Sequence, residues 1–540
     1  MRFQMRVAVA AAFASIASAA FNRGTGGMQI GPLDLEDTDL EGTNGTNGWG
    51  TFDQLIDHSN PSLGTFAQRF WYGTEYWKGP GSPIFVVNPG EQSATNFNKS
   101  YTTLQRLPGL FAKEMGGAVV ILEHRYWGES APFDKTLTVE NLQYLTLENA
   151  IKDMTYFATN FDPPFDNSGK SSPTEAPWVF SGGSYPGALA GWLEAKDPGV
   201  YWAYHGTSGV VEAIGDFWQY FEPVKAATPA NCSKDLETVV DYIDDILMHG
   251  SEKQKQKLKS KFMLDDLTDA DFAAALENGP WSWQETQFYL TTTLGYTPYY
   301  RFCDYIENVW PNSTNPVPGP EGVGQCKALE GYAKWFTEVL LPGYCEPAGY
   351  PDWQGTYNTG CFQSQNSSNP AYHDLTLGNF ANRQWNWLLC NEPFEWWQDG
   401  APKDRPTIVS RLVDVEYWRA QCPFFFPGNY GIKEGESAVD VNKYTGGWSV
   451  TNTTRLMYAN GGLDPWRDAT VSSEFRPGGP LQSTPELPVR VIPGGIHCSD
   501  YYGQNWAVNP GLQQIVNDEV ANMKQWVNEF YEEKGKTKPT

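Results

Sequence analysis

The chain has 540 residues, 40% of them hydrophobic and 15% aromatic with 22 Trp, enough for a large catalytic core with a second unit inserted. A formal net charge of −25 excludes nucleic acid as a partner, because its phosphates would repel such a surface. The same charge suits a protein that stays soluble in mildly acidic surroundings, where many carboxylates lose theirs.

Residues 1–19 read as a secretory signal, with Arg2 and Arg6 as the basic start, residues 7–16 as the apolar run and Ala17-Ser18-Ala19 as the small-residue cleavage site. No later run reaches the ~18 apolar residues of a membrane span, so no membrane partner is expected. Export predicts an extracellular protein, with an acidic vacuolar or lysosome-like compartment as the alternative. In an exported chain the six Asn-x-Ser/Thr sequons at Asn44, Asn98, Asn231, Asn312, Asn366 and Asn452 predict surface glycosylation. The eight cysteines (232, 303, 326, 345, 361, 390, 422 and 498) include no CxxC pair and no zinc spacing. They are expected to form structural disulfides, and no metal or cofactor is expected.

Residues 20–50 are rich in Gly, Asp, Thr and Asn and read as a flexible lead or pro-segment. Residues 66–77 alternate polar and aromatic side chains, as an early antiparallel strand pair would. Buried-strand runs follow, each leading into a loop and a helical pattern. Ile84–Val87 precedes Asn88-Pro89-Gly90-Glu91, and Ala118–Leu122 precedes Glu123-His124-Arg125-Tyr126-Trp127-Gly128. Residues 147–157 have helical spacing, and further strands are predicted at 178–180 and 204–211. This alternation defines an α/β protein with a mostly parallel sheet covered on both faces. From 212 to 400 it stops in favour of helical patterns, Pro/Gly-rich loops and most of the cysteines. That stretch is read as a largely helical cap, inserted into a catalytic domain formed by 51–211 and 401–540. Strand signals resume at 455–459 and 489–492, and 512–531 forms a closing amphipathic helix.

The most informative segment is Ser181-Gly182-Gly183-Ser184-Tyr185-Pro186-Gly187, between a strand and a helix. A sharp glycine turn there lifts the Ser184 hydroxyl clear and aims the following amides at a developing oxyanion. The serine needs an imidazole to take its proton and an acid to hold that imidazole. Of six histidines only His497 lies in the loop after the last predicted strand. Asp464 ends the preceding strand and is preferred to Asp468, four residues on. The order Ser, Asp, His is that of the α/β-hydrolase fold. One irregularity stands out: the small residue expected two after the serine is Pro186.

Gly182-Gly183-Ser184-Tyr185, Glu123-His124-Arg125-Tyr126-Trp127-Gly128, Asp464-Pro465-Trp466 and Gly494-Gly495-Ile496-His497-Cys498 resemble the proline-specific serine peptidases of family S28. That family includes lysosomal prolyl carboxypeptidase, dipeptidyl peptidase II and fungal acid prolyl endopeptidases. The resemblance runs from about residue 51 to the C-terminus. It is strongest to the fungal enzymes, through Gly79-Pro80-Gly81-Ser82-Pro83, Gln143-Tyr144-Leu145-Thr146-Leu147 and Cys390-Asn391-Glu392-Pro393. It implies an α/β-hydrolase fold with a helical cap, Ser184, Asp464 and His497 as the triad, and an oxyanion hole from the Tyr185 amide with Gly90 or Glu91. It further implies a proline pocket walled by Trp466 and Tyr501, and an acidic Glu91 able to hold a substrate amino terminus. Glu392, among Trp385, Trp387, Trp396 and Trp397, is expected at the cleft border.

The implied activity is cleavage of proline-containing peptides or proteins on the carboxyl side of proline, as an acid-active endopeptidase. Prolyl carboxypeptidase and dipeptidyl peptidase are alternatives in the same family. A carboxylesterase or lipase on the same fold is the alternative from another class, and an inactive binding glycoprotein a third. Acid activity requires His497 to lose its proton below the ordinary imidazole value.

Overall fold

A computed structural model describes residues 46–294, 297–428, 435–451 and 453–540. The expected signal at 1–19, most of the 20–50 lead, and the sequons at Asn44 and Asn452 lie outside the described residues. Regular structure starts at Asn47, within the span read as lead, where β1 (Asn47–Leu55) pairs antiparallel with β2 (Thr65–Gly73).

β2 in turn lies antiparallel to β4 (Ala118–Leu122). From there the sheet is parallel, through β3 (Ile84–Val87), β5 (Trp178–Gly183), β6 (Ala203–Thr207), β9 (Leu456–Gly461) and β10 (Val489–Ile492). The eight strands run in the order β1-β2-β4-β3-β5-β6-β9-β10. Every residue of β3, β4 and β5 is buried, which is why these strands read as unbroken apolar runs rather than alternating ones. Ile84 and Val86 face one core, Phe85 and Val87 the other.

The first core is closed by α1 (Leu147–Asn160), through Ile151, Met154 and Phe157, and by α2 (Tyr185–Lys196), which follows β5 directly. After β6 the chain leaves the sheet for a helical insertion that includes α3 (Ala230–His249), α4 (Pro298–Ile306) and α5 (Gln325–Trp335). The second core is closed at the C-terminus by α6 (Pro510–Glu533), whose Leu512, Val516, Met523 and Trp526 are buried.

The insertion begins and ends at one place. A short parallel pair joins β7 (Ile214–Asp216) to β8 (Glu395–Trp397). Beside it the Glu212 carboxylate accepts the Asn442 side-chain amide at 2.9 Å and the Trp448 backbone amide at 2.7 Å, while Asn442 Oδ1 accepts the Ala213 amide at 2.8 Å. The expected boundary at 400 falls short of this return point. Arg411 bonds to Asp241, Tyr417 to Ser364 and Asp271, and Cys422 to Cys390, so residues 401–426 are fastened to the insertion.

The expected structural disulfides form from six of the eight cysteines. Three disulfides form, Cys232–Cys303, Cys345–Cys361 and Cys390–Cys422, all tied to the insertion. Cys326, exposed, and Cys498, buried, remain thiols. Glycosylation at Asn98 also fails on geometry, because the residue is wholly buried and leaves no room for a sugar. Asn312 and Asn366 are exposed, and Asn231 is half-buried. Among the described residues no helix is long and apolar enough to cross a membrane.

Candidate active site

The parallel strands deliver their loops to one edge of the sheet. The turns after β3, β5, β9 and β10 carry Gly90-Glu91, Ser184, Asp464 and His497, at the carboxyl edge where α/β sheets bind ligands. Ser184 sits between β5 and α2 with φ 65° and ψ −127°, a left-handed conformation that a non-glycine residue adopts only when its surroundings hold it. Its amide donates to the Thr207 carbonyl of β6 at 2.9 Å. A Cβ on Gly187 would lie 2.6 Å from that same carbonyl, so Gly187 supplies the close helix–strand approach that Pro186 cannot.

Pro186 has its own place. Its ring packs on Gly90, which has φ 79° and whose added Cβ would fall 2.9 Å from Pro186 Cγ. The proline therefore braces the loop after β3 against the turn that carries Ser184. In that loop the Gly90 amide already donates to Asn88 Oδ1 at 2.9 Å. Of the two amides expected there, Glu91's is thus the one suited to meet an oxyanion together with that of Tyr185.

Ser184 Oγ lies 2.8 Å from His497 Nε2, and His497 Nδ1 lies 3.0 and 3.1 Å from the two Asp464 oxygens. With Nδ1 donating to the carboxylate, Nε2 accepts the serine proton. Asp464 Oδ1 also accepts the Trp466 amide at 2.9 Å, and the Leu463 amide donates to Gly495 O at 2.8 Å, joining the loops of the acid and the base. All three residues are buried. Burial, the largest single influence, would lower the His497 imidazole, but the Asp464 carboxylate and Cys498 together reverse it and raise the ring well above 6.5. The lowered value that acid activity requires is therefore not what this geometry produces.

Trp466 stands beside the relay, its ring centroid 6.4 Å from that of His497. Phe217, Tyr220 and Trp396 surround it at 5.6, 5.4 and 6.1 Å. Tyr501 is not part of this group. It lies in the core on the other sheet face, stacked on His205 at 6.0 Å with its hydroxyl 3.0 Å from Ser181 Oγ, so it packs beneath the serine turn and is not a pocket wall. The Glu392 carboxylate accepts the Leu147 amide at 2.8 Å and caps α1, and its charge also reaches the Tyr185 hydroxyl. The Trp-rich run divides: Trp385 stacks on Trp396 at 5.9 Å, Trp387 donates to Leu145 O, and Trp397 stacks on Trp418.

Glu91 is 4% exposed and neither carboxylate oxygen has a partner at bonding geometry. Burial pushes its pKa up to about 8, with its own nearby amide and His497 opposing the rise. Residues 123–128, prominent in sequence, are structural. Arg125 pairs with Asp153 through two contacts of 2.7 and 2.5 Å and donates to the carbonyls of Leu55, Ile56 and Tyr144. The Glu123 carboxylate receives Arg69 and Ser130.

Among the described residues one group could hold a cation: His205, Asp500 and Glu519, all buried, with ligand atoms within 4.8 Å of one another. It lies behind the serine turn, where His205 Nδ1 is 3.0 Å from Ser181 Oγ and Asp500 receives the Thr207 hydroxyl. Burial, with the Asp500 charge adding to it, pushes the Glu519 carboxyl well up despite Arg490.

Sequence reasoning missed Phe217, Tyr220, Gln284 and Gln287. Gln284 Oε1 accepts the Trp466 indole N–H at 3.0 Å and the Tyr220 hydroxyl at 2.8 Å, and Gln287 Nε2 donates to His497 O at 2.8 Å. None belongs to a motif, and all come from the insertion, where only helical spacing was legible.

A parallel sheet, a left-handed serine turn and a Ser–His–Asp relay define a serine hydrolase of the α/β-hydrolase fold. The sequence profile described as serine carboxypeptidase S28 matches residues 54–515. The chain belongs to that family of serine peptidases. It is 42% identical to the serine protease vicPa of Bipolaris victoriae (strain FI3), over 94% of this chain and 93% of that protein. It is 29% identical to a probable extracellular serine carboxypeptidase of Arthroderma benhamiae, over 86% of this chain and 64% of that one. Lysosomal Pro-X carboxypeptidase of Bos taurus is 24% identical, over 88% and 87%.

Proposed function

We propose that this protein is a secreted serine peptidase that hydrolyses peptide bonds on the carboxyl side of proline, acting as an endopeptidase. Ser184 attacks the carbonyl while His497 takes its proton, and Asp464 stabilises the imidazolium. The Tyr185 and Glu91 amides receive the oxyanion. His497 then protonates the leaving amine, and water repeats the sequence on the acyl-enzyme. The observation that carries the reading is the pairing of this relay with the ring of Trp466 beside His497, since a flat, rigid proline ring suits an aromatic wall. The printed names of the relatives, a Pro-X carboxypeptidase among them, support a preference for proline. The disulfides and the extracellular relative support secretion.

Matched peptides with proline or alanine before the scissile bond, read by mass spectrometry, test the reading. Internal cuts after proline are expected, and Ser184→Ala should abolish them while leaving the fold intact. Equal cleavage of both peptides, or turnover retained in Ser184→Ala, would defeat it.

A second reading is favoured by one observation. The buried, unpartnered Glu91 carboxyl is suited to hold a substrate amino terminus, which would make the enzyme a dipeptidyl peptidase. Release of dipeptides alone from the same substrates would select it.

A further inference from the structure

The six residues 282–287 join two helical pieces of the insertion, and three of their side chains leave it to bond to the loops that carry the acid and the base. Trp283 Nε1 donates to the carbonyl of Leu463, the residue before Asp464, at 2.8 Å. Gln284 Oε1 receives the indole N–H of Trp466, two residues after Asp464. Gln287 Nε2 donates to the carbonyl of His497 itself, while its Oε1 accepts the Asn505 side-chain amide at 2.7 Å and the Ser499 hydroxyl at 3.3 Å. Trp283 is 2% exposed and Gln287 1%, so water does not compete for these bonds.

The segment is stiff at its own end. The amides of Ser282, Trp283, Gln284 and Thr286 each donate three residues back, to Gly279, Pro280, Trp281 and Trp283. The Trp283 ring packs edge-on against Tyr299 of α4 at 5.2 Å, and α4 is bound to α3 by Cys232–Cys303. Ser184 has a separate support, because its turn is anchored to β6 through Thr207. The nucleophile is thus located by the sheet, whereas the loops of the acid and base are also located by the insertion.

We propose that residues 283–287 are a positioning element, through which the seated insertion sets His497 and Asp464 in register with Ser184. Trp283 and Gln287 act through these residues and do not touch the reacting atoms; Gln284 acts on the pocket ring. A small displacement of a catalytic group costs about 100-fold in rate, so bonds that hold the loops in place affect turnover more than substrate binding. The inference rests on Ser184, His497 and Asp464 being the triad.

The test uses the full-length protein with Gln287→Ala and with Trp283→Phe, the latter keeping a ring while removing the N–H. Active sites are titrated with a fluorophosphonate, and kcat, KM and melting temperature are measured on a proline peptide. Both variants should lose roughly 10- to 100-fold in kcat per titrated site, with KM within about two-fold and labelling of Ser184 slowed in parallel. Gln284→Leu should instead shift the proline-to-alanine preference. A merely structural role predicts fewer titratable sites, each at full rate, and that result overturns the proposal. So does wild-type kcat per site in Trp283→Phe, should Gln287→Ala fail to fold. If the parent's label is found on a residue other than Ser184, the triad reading itself has failed, an outcome distinct from wild-type rates in the variants.

Discussion

Replacing Glu91 by glutamine isolates what a buried acid does to this fold. Burial holds the Glu91 carboxyl at about 8, against 4.5 for an ordinary glutamate. Below pH 4.5 the group is protonated in the folded and unfolded chain alike, and its full contribution to stability is present. As pH rises from there to about 8 the unfolded chain ionises while the folded chain keeps its proton, so stability falls, by about 1.4 kcal/mol per unit. Over the interval the loss reaches about 5 kcal/mol, an upper value because any water reaching the carboxylate reduces it. Glutamine cannot ionise, and its cost as an unpartnered amide does not vary with pH. The comparison is made by denaturant unfolding at pH 4, 6 and 8, with both proteins carrying Ser184→Ala to prevent self-digestion. Glu277, Asp399 and Glu519, also pushed up by burial, are present in both chains and cancel in the difference. The glutamine variant should gain steadily on the parent as pH rises, by several kcal/mol at pH 8. A stability difference that stays constant across the series would refute the reasoning.

Trp466→Ala should cost about 1–3 kcal/mol of transition-state stabilisation on proline peptides and less on alanine peptides, the scale on which apolar pockets discriminate; an unchanged preference ratio removes Trp466 from the site. Asp464→Asn should lower kcat by about 10⁴-fold. Because the Asp464 carboxylate is the strongest influence raising the His497 pKa, ahead of Cys498, the rising limb of kcat/KM should also move to lower pH, and a limb that stays put would contradict the relay. Cys390→Ser with Cys422→Ser opens a crosslink between residues 32 apart and should cost roughly 4 kcal/mol on the chain-entropy account, read as a lower melting temperature with little change in KM.

The sheet was legible because its central strands are apolar on both faces, and a run such as Ala118–Leu122 has no other stable environment. The candidate triad was legible because each member follows a strand, so position along the chain stood in for position in space. Tyr501 misled because a tyrosine near a histidine in sequence need not share its side of the sheet. The chain turns through Cys498, at φ 52°, and sends the Tyr501 ring to the opposite core. The partner of Glu392 was not legible: this conspicuous acid among tryptophans serves an amide that lies 245 positions away in the chain. His497 required weighing two opposed effects, burial against a neighbouring carboxylate, and sequence gives the partners but not their separation. The glutamines of the insertion carry no pattern at all, since a side-chain amide is equally at home on a solvated helix.

The meeting of Glu212 and Ala213 with Asn442 and Trp448 bears on how such a chain could have arisen. Where the two ends of an inserted unit lie side by side, its length and content are free to change without altering the span the host must bridge. β6 and β9 stay in register, Tyr204 opposite Leu456, whatever the intervening chain contains. The sheet and the inserted unit can therefore diverge at different rates within one polypeptide. Side chains that reach across, such as those of Trp283, Gln287 and Trp387, tie the history of one to that of the other.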